Sequence, residues 1–384
     1  MASGRQGFTA AGIEGIYGGS FIGGNRVELL ERGREAFGRI FDAVRRARRI
    51  VCLEFYIFRN DETGEELAGI LKQKASQGVQ VYILYDHLGS FGTPRRFWKD
   101  LRRAGVKARA SHAFRWTAPG RYQHRDHRKL VVVDGHTAFT GGLNIANEYR
   151  GLHIRKKEPW RDTGVMVKGP AASALMETFM KAWVAFGGEP IEATTAEAPA
   201  EGDLPVMPIF AHSSRGRRGL RRLLYYSINH SAKSICLTTA YFTPSRRMIE
   251  TLEAAVARGV SVRLLVPGIS DVPAAYYAAR AFFHRLLRAG VEIYEYQGMV
   301  LHAKTYIFDG VWSIAGSANL DFQSLRWNDE GNIGILDEDF AARMTAVFEE
   351  DVSKSLRITM EDWSRRPLWA KIKERFFSLF RRRL

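Results

Sequence analysis

Two rhythms alternate along the chain. Short runs of apolar, β-prone residues are separated by stretches in which apolar residues recur every three or four positions. Gly33–Arg49 has the helical spacing, with Phe37, Ile40, Phe41 and Val44 on one side and a basic outer face. Ile50–Phe58 is a continuous apolar run and predicts a buried strand. Glu65–Gln77 predicts a helix through Leu67, Ile70 and Leu71, stopped at Gly78, and Val79–Tyr85 predicts the next strand, ending at Asp86. Phe97–Ala104 predicts a helix stopped at Gly105, Asp162–Val167 a strand, and Ala171–Phe186 a helix with Leu175, Phe179 and Trp183 on one side. Val27–Leu30 reads as a short strand, and residues 1–24 are Gly-rich without a clear period.

The same order returns in the second half. Leu220–His230 is helical, Ser234–Phe242 matches Ile50–Phe58, and Met248–Arg258, Gly259 and Val260–Val266 mirror the helix-Gly-strand unit before Asp86. Ala275–Ala289 predicts one helix stopped at Gly290, followed by a strand over Val291–Tyr296. Between the halves, Gly187–Pro205 is polar and rich in Ala, Pro and Glu, and reads as a connection. Strands alternating with helices predict layered α/β domains around largely buried sheets. The expected organisation is a first domain over 1–186, a linker over 187–205, a second domain over 206–362 and a terminal helix over 363–384.

One pattern occurs in both halves. His127-Arg-Lys129 leads through Val131–Val133 to Asp134 and on to Gly141-Gly142-Leu-Asn144; His302-Ala-Lys304 leads through Thr305–Phe308 to Asp309 and Gly316-Ser317-Ala-Asn319. Both fit H-x-K-x(4)-D-x(6)-G-[GS]-x-N without a gap, 302 − 127 = 175 residues apart. In a strand the side chains at i and i+2 share a face, so each His points the same way as its Lys. Asp134-Gly135 and Asp309-Gly310 are hairpin-turn dipeptides, and the returning strand brings each Asn back beside its own His and Lys. Asp134 and Asp309 are therefore expected to hold the turns. One copy offers one imidazole, one ammonium and one amide. Chemistry that needs both a nucleophile and an acid requires two copies face to face.

This duplicated pattern resembles the phospholipase D superfamily. The resemblance implies two similar α/β/α domains with mixed central sheets, related by a pseudo-twofold axis around one active site. It also implies a phosphohistidine route, with His127 as nucleophile, His302 as general acid, and Lys129, Lys304, Asn144 and Asn319 on the phosphoryl oxygens. The residues alone do not say which imidazole attacks. By position in the superfamily, Asp162 and Glu330 look like the partners that orient the imidazoles, each serving the His of the other half. Further stretches are similar to the bacterial cardiolipin synthase branch: Glu54-Phe-Tyr56-Ile-Phe58 with Asp61, Gly64 and Asp86, Tyr241-Phe-Thr-Pro244, Ala289–Tyr296, Asn319-Leu-Asp321, and Asn328-Asp-Glu330. The likeness runs from about Gly24 to Val352, with Gln323 where the family usually has Arg. The chain looks like the short branch without the two N-terminal membrane helices of many such synthases.

Charge narrows the partner. A net charge of +16 and a pI of about 9.9 favour anionic partners: a phosphate-bearing substrate, an acidic membrane surface or nucleic acid. Cys52 and Cys236 sit in apolar runs and are expected in the core, without a disulfide framework. No window approaches the ~20 apolar residues of a membrane span. His124-x-x-His127 lacks the Cys or acidic company of a metal site, so no metal or cofactor is expected. At the C-terminus, Leu368, Trp369, Ile372, Phe376, Leu379 and Phe380 fall on one helical face, with Phe377 beside them and Lys371, Lys373, Arg375, Arg381, Arg382 and Arg383 around it. This is the form of an interfacial helix on an anionic bilayer.

Together these features point to a peripheral phosphatidyltransferase on the cytoplasmic face of the cell membrane. Its substrate would be phosphatidylglycerol, with phosphatidylethanolamine as another donor, and its product cardiolipin. The rivals are a hydrolytic phospholipase D, a nuclease of the same superfamily, and a membrane-binding scaffold. The intact pairs of His, Lys and Asn count against the last, and no specific nucleic acid is expected.

Overall fold

The computed structural model describes residues 7–114, 116, 122–152, 159–192 and 198–380. Its strands are β1 (Ile22–Leu30), β2 (Ile50–Phe55), β3 (Gln80–Asp86), β4 (Lys107–Ser111), β5 (Lys129–Val133), β6 (Thr137–Gly141), β7 (Gly164–Lys168), β8 (Leu204–Ala211), β9 (Ser234–Thr238), β10 (Ser261–Pro267), β11 (Glu292–Tyr296), β12 (Thr305–Phe308), β13 (Trp312–Gly316), β14 (Glu330–Leu336) and β15 (Ser355–Ile358). They form one sheet in the order β15-β11-β10-β9-β12-β13-β14-β8-β1-β7-β6-β5-β2-β3-β4. From β4 inward to β1 and from β11 inward to β8 the order is the same, with β15 added at one edge. In each half two parallel pairs adjoin a run of antiparallel ones: β2–β3–β4 and β9–β10–β11 are parallel, and the motif hairpins β5–β6 and β12–β13 are antiparallel. The expected mixed sheets and pseudo-twofold are present. The two sheets also join, through the antiparallel β1–β8 pair. Buried Asn25 pins that seam: its Nδ2 donates to the carbonyls of Ile22, Gly23 and Leu204, and its Oδ1 accepts from the N–H of Ala171.

Alternation in β2 explains the layers. Val51, Leu53 and Phe55 pack with Phe37 and Phe41 of the helix Gly33–Arg46 and Leu67 and Leu71 of the helix Glu62–Ser76. Ile50 and Cys52 face the other way, toward Leu175, Phe179 and Trp183 of the helix Pro170–Ala185. The second half repeats this. Ile235 and Leu237 meet the helices Ser214–His230 and Arg246–Ala257, and Cys236 faces Phe340 and Met344 of Glu338–Ser353. Both cysteines are free and buried at matching positions, in the core where the sequence reading put them.

Several boundaries differ from the sequence reading. Residues 1–24, counted there with the first half, include a helix over Ala10–Tyr17, and Phe8 and Ile13 are buried in the core of the second half. The stretch over 187–205 is partly built in: Ala198 N–H donates to Ser173 Oγ, Glu201 N–H to Gly24 O, and β8 begins at Leu204. The single helix expected over Ala275–Ala289 is two, Pro273–Arg280 and Phe283–Ala289. The terminal helix is also two, Met360–Arg365 and Leu368–Ser378. Pro367 explains that break, because it lacks an N–H and forces Arg366 into an extended conformation. In Leu368–Ser378 the side facing the protein is Ala370 and Glu374; Glu374 is paired with Arg280 and Arg366, and Phe377 stacks on Tyr277. Phe377 thus turns inward, away from the outer apolar face. Leu368, Trp369, Ile372, Phe376 and Leu379 are each more than half exposed, and Phe380 is exposed beside them. Arg381, Arg382 and Arg383 lie outside the described residues.

Candidate active site

Each motif strand is fixed at its far end by the motif aspartate. Asp134 and Gly135 have φ of 54° and 71°, and Asp309 and Gly310 have φ of 54° and 66°, the backbone of a tight hairpin turn. The Asp134 carboxylate accepts from the backbone N–H groups of Arg48, Arg49 and Ile50, at 2.8, 2.8 and 2.9 Å. Asp309 does the same for Ala232, Lys233 and Ser234. The aspartates therefore tie each hairpin to the start of its neighbour, β2 or β9, one strand length from the histidines.

At the near end the halves cross. His127 N–H donates to Asp329 O at 2.9 Å, and His302 N–H donates to Arg161 O at 2.7 Å. Each histidine's backbone is thus bridged to the residue just before the other half's carboxylate. The side chains follow: His127 Nδ1 lies 3.0 Å from Glu330 Oε2, and His302 Nδ1 lies 2.7 Å from Asp162 Oδ2. Lys129 Nζ donates to His127 O at 2.6 Å, and Lys304 Nζ to His302 O. Asn144 Oδ1 accepts from Ile57 N–H at 3.0 Å, and Asn319 Oδ1 from Tyr241 N–H at 3.3 Å. Each amide is thereby oriented by its oxygen, and the buried Nδ2 of Asn144 has no hydrogen-bond partner among the described residues. All eight side chains are buried. The structure brings together every residue that the sequence reading placed at the site.

The Gly-[GS] step has a steric cause. A Cβ on Gly142 would stand 2.0 Å from Asp162 Oδ1, so only glycine leaves room for that carboxylate. At the matching place Ser317 turns its hydroxyl onto Glu330 Oε2 at 2.5 Å.

Burial dominates the electrostatics. It pushes Glu330 up to about 8, against Lys129 and Ser317, which pull it down. Asp162 is also buried, but His302 and Lys304 outweigh that and hold it below the usual carboxylate range. Burial, with Lys129, Lys304 and His302, drives His127 well below an ordinary imidazole. His302 is lowered by burial and Lys304, with Asp162 opposing. Burial brings Lys129 down to about 7 and Lys304 to about 8. Four basic groups thus share a low-dielectric pocket with two carboxylates. An entering phosphate anion supplies the missing negative charge and favours the protonated lysines.

Sequence reasoning missed two features. Tyr149 and Trp160 ring His302, at 5.2 and 5.4 Å between centroids. An ionic cluster also surrounds the backbone of His127: fully buried Arg128 pairs with Glu54 at 2.7 Å and Asp126 at 3.0 Å, and Asp329 pairs with Arg217 and His112. The signal for the cluster was the charged run Arg125-Asp126-His127-Arg128, which reads as a solvated loop unless its burial is known. Tyr149 and Trp160 carried no periodic signal. Of the other histidines, His124 Nδ1 binds Trp327 O and His136 Nε2 pairs with Glu201; His153 lies outside the described residues.

A family model described as "Cardiolipin synthase, PLD-like domain" matches residues 40–183 and 224–352, one span around each motif. The chain belongs to this family. Major cardiolipin synthase ClsA of Bacillus subtilis (strain 168) is 32% identical over 359 residues, covering 92% of this chain and 74% of that protein. Cardiolipin synthase A of Pseudomonas aeruginosa (strain PAO1) is 36% identical over 348 residues, covering 89% and 70%. Among solved structures, the phosphatidylserine synthase of Haemophilus influenzae Rd KW20 superposes with a TM-score of 0.78 at 15% identity, covering 98% of this chain and all of that one. At that identity the likeness speaks to the fold. No described helix is long and apolar enough to cross a membrane.

Proposed function

We propose that this protein is a phosphatidyltransferase of the cardiolipin synthase type, joining two phosphatidylglycerol molecules and releasing glycerol. The observation that carries the reading is the crossed pairing of His127 with Glu330 and of His302 with Asp162, in one buried site holding both lysines and both asparagines. Family membership and the cardiolipin synthases at 32% and 36% identity support it.

In this mechanism His127 Nε2 attacks the phosphorus of a phosphatidylglycerol, and the bond from phosphorus to the glycerol oxygen breaks. His302 gives its Nε2 proton to that oxygen, and glycerol leaves. Phosphatidyl-His127 remains, with its non-bridging oxygens on Lys129, Lys304, Asn144 and Asn319. The terminal hydroxyl of a second phosphatidylglycerol then gives its proton to His302 and attacks phosphorus. The P–N bond breaks, His127 is restored and cardiolipin departs. The imidazole driven furthest below its ordinary value is His127, which suits the nucleophile; His302 keeps an ionised Asp162 beside it, which suits the acid.

The outer face of Leu368–Ser378, continued by Phe380, serves as the membrane contact, with Trp369, Ile372, Phe376 and Phe380 toward acyl chains and Lys373 and Arg375 toward anionic headgroups; the basic run Arg381, Arg382 and Arg383 that follows in the sequence adds positive charge for the same surface. The protein would lie on the cytoplasmic face of the membrane. Purified protein is given phosphatidylglycerol liposomes in chelator, with and without phosphatidylethanolamine, and products are resolved by mass. Cardiolipin is the expected product, and dependence on the second lipid would make that lipid the donor. Phosphatidic acid alone would replace the transferase by a hydrolase. No lipid product, with DNA cleaved instead, would overturn the lipid reading.

A further inference from the structure

At the end of the first half's sheet away from the histidines, behind the β5–β6 hairpin, lies a cavity of about 660 Å³. Five permanent cations from three segments converge on it: Arg39 and Arg46 from the helix Gly33–Arg46, Arg48 and Arg49 from the turn before β2, and Lys168 at the end of β7. Two carboxylates line it, and both are engaged. Asp42 pairs with Arg45, and Asp134 is taken by three backbone N–H groups. Arg46, Arg48 and Lys168 have no side-chain partner among the described residues. Val133, Phe139 and Met166 give the lining an apolar side, and Thr137 and His136, the latter paired with Glu201, complete the hairpin's share.

The pseudo-twofold provides an internal comparison. The hairpin register matches Thr137 to Trp312, Met166 to Gly334 and Lys168 to Leu336. In the second half this place is full. Trp312 is wholly buried and lies over Gly334, where a Cβ would stand 2.2 Å from the indole. Phe21 packs on Trp312 at 5.9 Å, and Phe8 packs on Phe308 at 6.2 Å. The N-terminal segment therefore plugs the second half's counterpart with aromatic rings. The first half leaves the same place open and surrounds it with arginines. The negative end of the helix Gly33–Arg46 accounts for Arg45 and Arg46, but not for Lys168 on a different element.

We infer that this cavity binds a water-soluble phosphate ester, its phosphate on Arg46, Arg48 and Lys168 and its organic part on the apolar lining. Arginine forks suit phosphate oxygens, and the volume lies within the usual range of small-molecule sites. The choice of a soluble ligand rests on the proposed lipid chemistry: when the histidines face a bilayer, this end of the sheet faces water. A bound ligand would also touch the hairpin of β5, about 13 Å along that strand from Lys129.

The test titrates phenyl phosphate and inorganic phosphate into the full chain by calorimetry, without lipid and at fixed ionic strength. A saturable site for phenyl phosphate, additional to the phosphate pocket at the histidines, is expected, about tenfold tighter than for inorganic phosphate because the ring buries apolar area. It should persist in His127→Ala and weaken by about tenfold or more in Arg48→Ala/Lys168→Ala. Thr137→Trp/Met166→Gly, which copies the filled second half, should abolish it while circular dichroism stays unchanged. Binding untouched by both double variants, binding lost in His127→Ala, absence of saturation, or binding of anionic vesicles alone would each overturn the assignment. Because no lipid is present, such a failure leaves the transferase reading standing.

Discussion

His127 is preceded by Arg125-Asp126 and followed by Arg128; His302 is preceded by Val300-Leu301 and followed by Ala303. The backbone does the same thing in both places, bridging to the opposite half immediately before its carboxylate. Identical geometry is thus reached once with a buried ionic cluster and once with apolar packing. Arg128 and Glu54 are buried in the first half, where Leu301 and Ala303 are buried in the second. The cluster is not needed to place an imidazole. What it adds is a polar tie between halves, since Asp329 from the second half meets His112 of the first while also pairing with Arg217 of its own half. The carboxylates shift in opposite directions: Glu330 is held up near 8 and Asp162 is held low. The two halves therefore share a fold and a motif but shift their carboxylates in opposite senses, which fits the proposed division of labour between nucleophile and acid.

The largest effect should come from the histidines. His127→Ala and His302→Ala should each lower cardiolipin formation by about 10³-fold or more, measured as turnover on phosphatidylglycerol vesicles. A difference of several orders between them would break the paired-site account.

The ionic cluster comes next. Arg128→Met leaves Glu54 and Asp126 buried without their cation and should cost about 3–5 kcal/mol in denaturant unfolding. Ala303→Ser, at the matching position, should cost about 1 kcal/mol or less. Equal losses would remove the contrast between the halves.

The carboxylates should differ in sign with pH. Glu330 carries a folded value of about 8, above its unfolded one, so the native state holds the extra proton and stability falls as pH rises from about 4.3 toward 8. Glu330→Gln should flatten that fall. Asp162 is lowered, so its contribution is present above about 3.9 and is lost as pH falls through the lower folded value; Asp162→Asn should remove it. Urea titrations across pH measure both, and equal slopes for the two variants would contradict the asymmetry.

The smallest effect belongs to the second half's exposed helix. Trp369→Ser/Ile372→Ser should weaken binding to anionic vesicles by about tenfold, while unfolding stability changes by about 0.5 kcal/mol or less. Sedimentation with liposomes would show it.

Much of this was legible in the chain. Val131–Val133 and Thr305–Phe308 read as strands because apolar β-prone runs end at Asp-Gly, and the motif spacing then puts His, Lys and Asn together. Asp162 and Glu330 were legible through resemblance alone: their partners lie 140 and 203 residues away, a separation no local pattern encodes. Ala10–Tyr17 escaped because its glycines hide a weak period, and its stability comes from packing on the helix Ser214–His230. The cluster around Arg125–Arg128 was not legible because burial of an ion cluster depends on both halves at once.

The most direct measurement traps the intermediate. The wild-type protein, mixed with phosphatidylglycerol labelled at phosphorus and quenched with alkali during turnover, should carry an acid-labile phosphoryl adduct on the peptide bearing His127, and His302→Ala should carry far less of it. An adduct on His302 in His127→Ala, or cardiolipin formed at the wild-type rate without either histidine, would contradict the account.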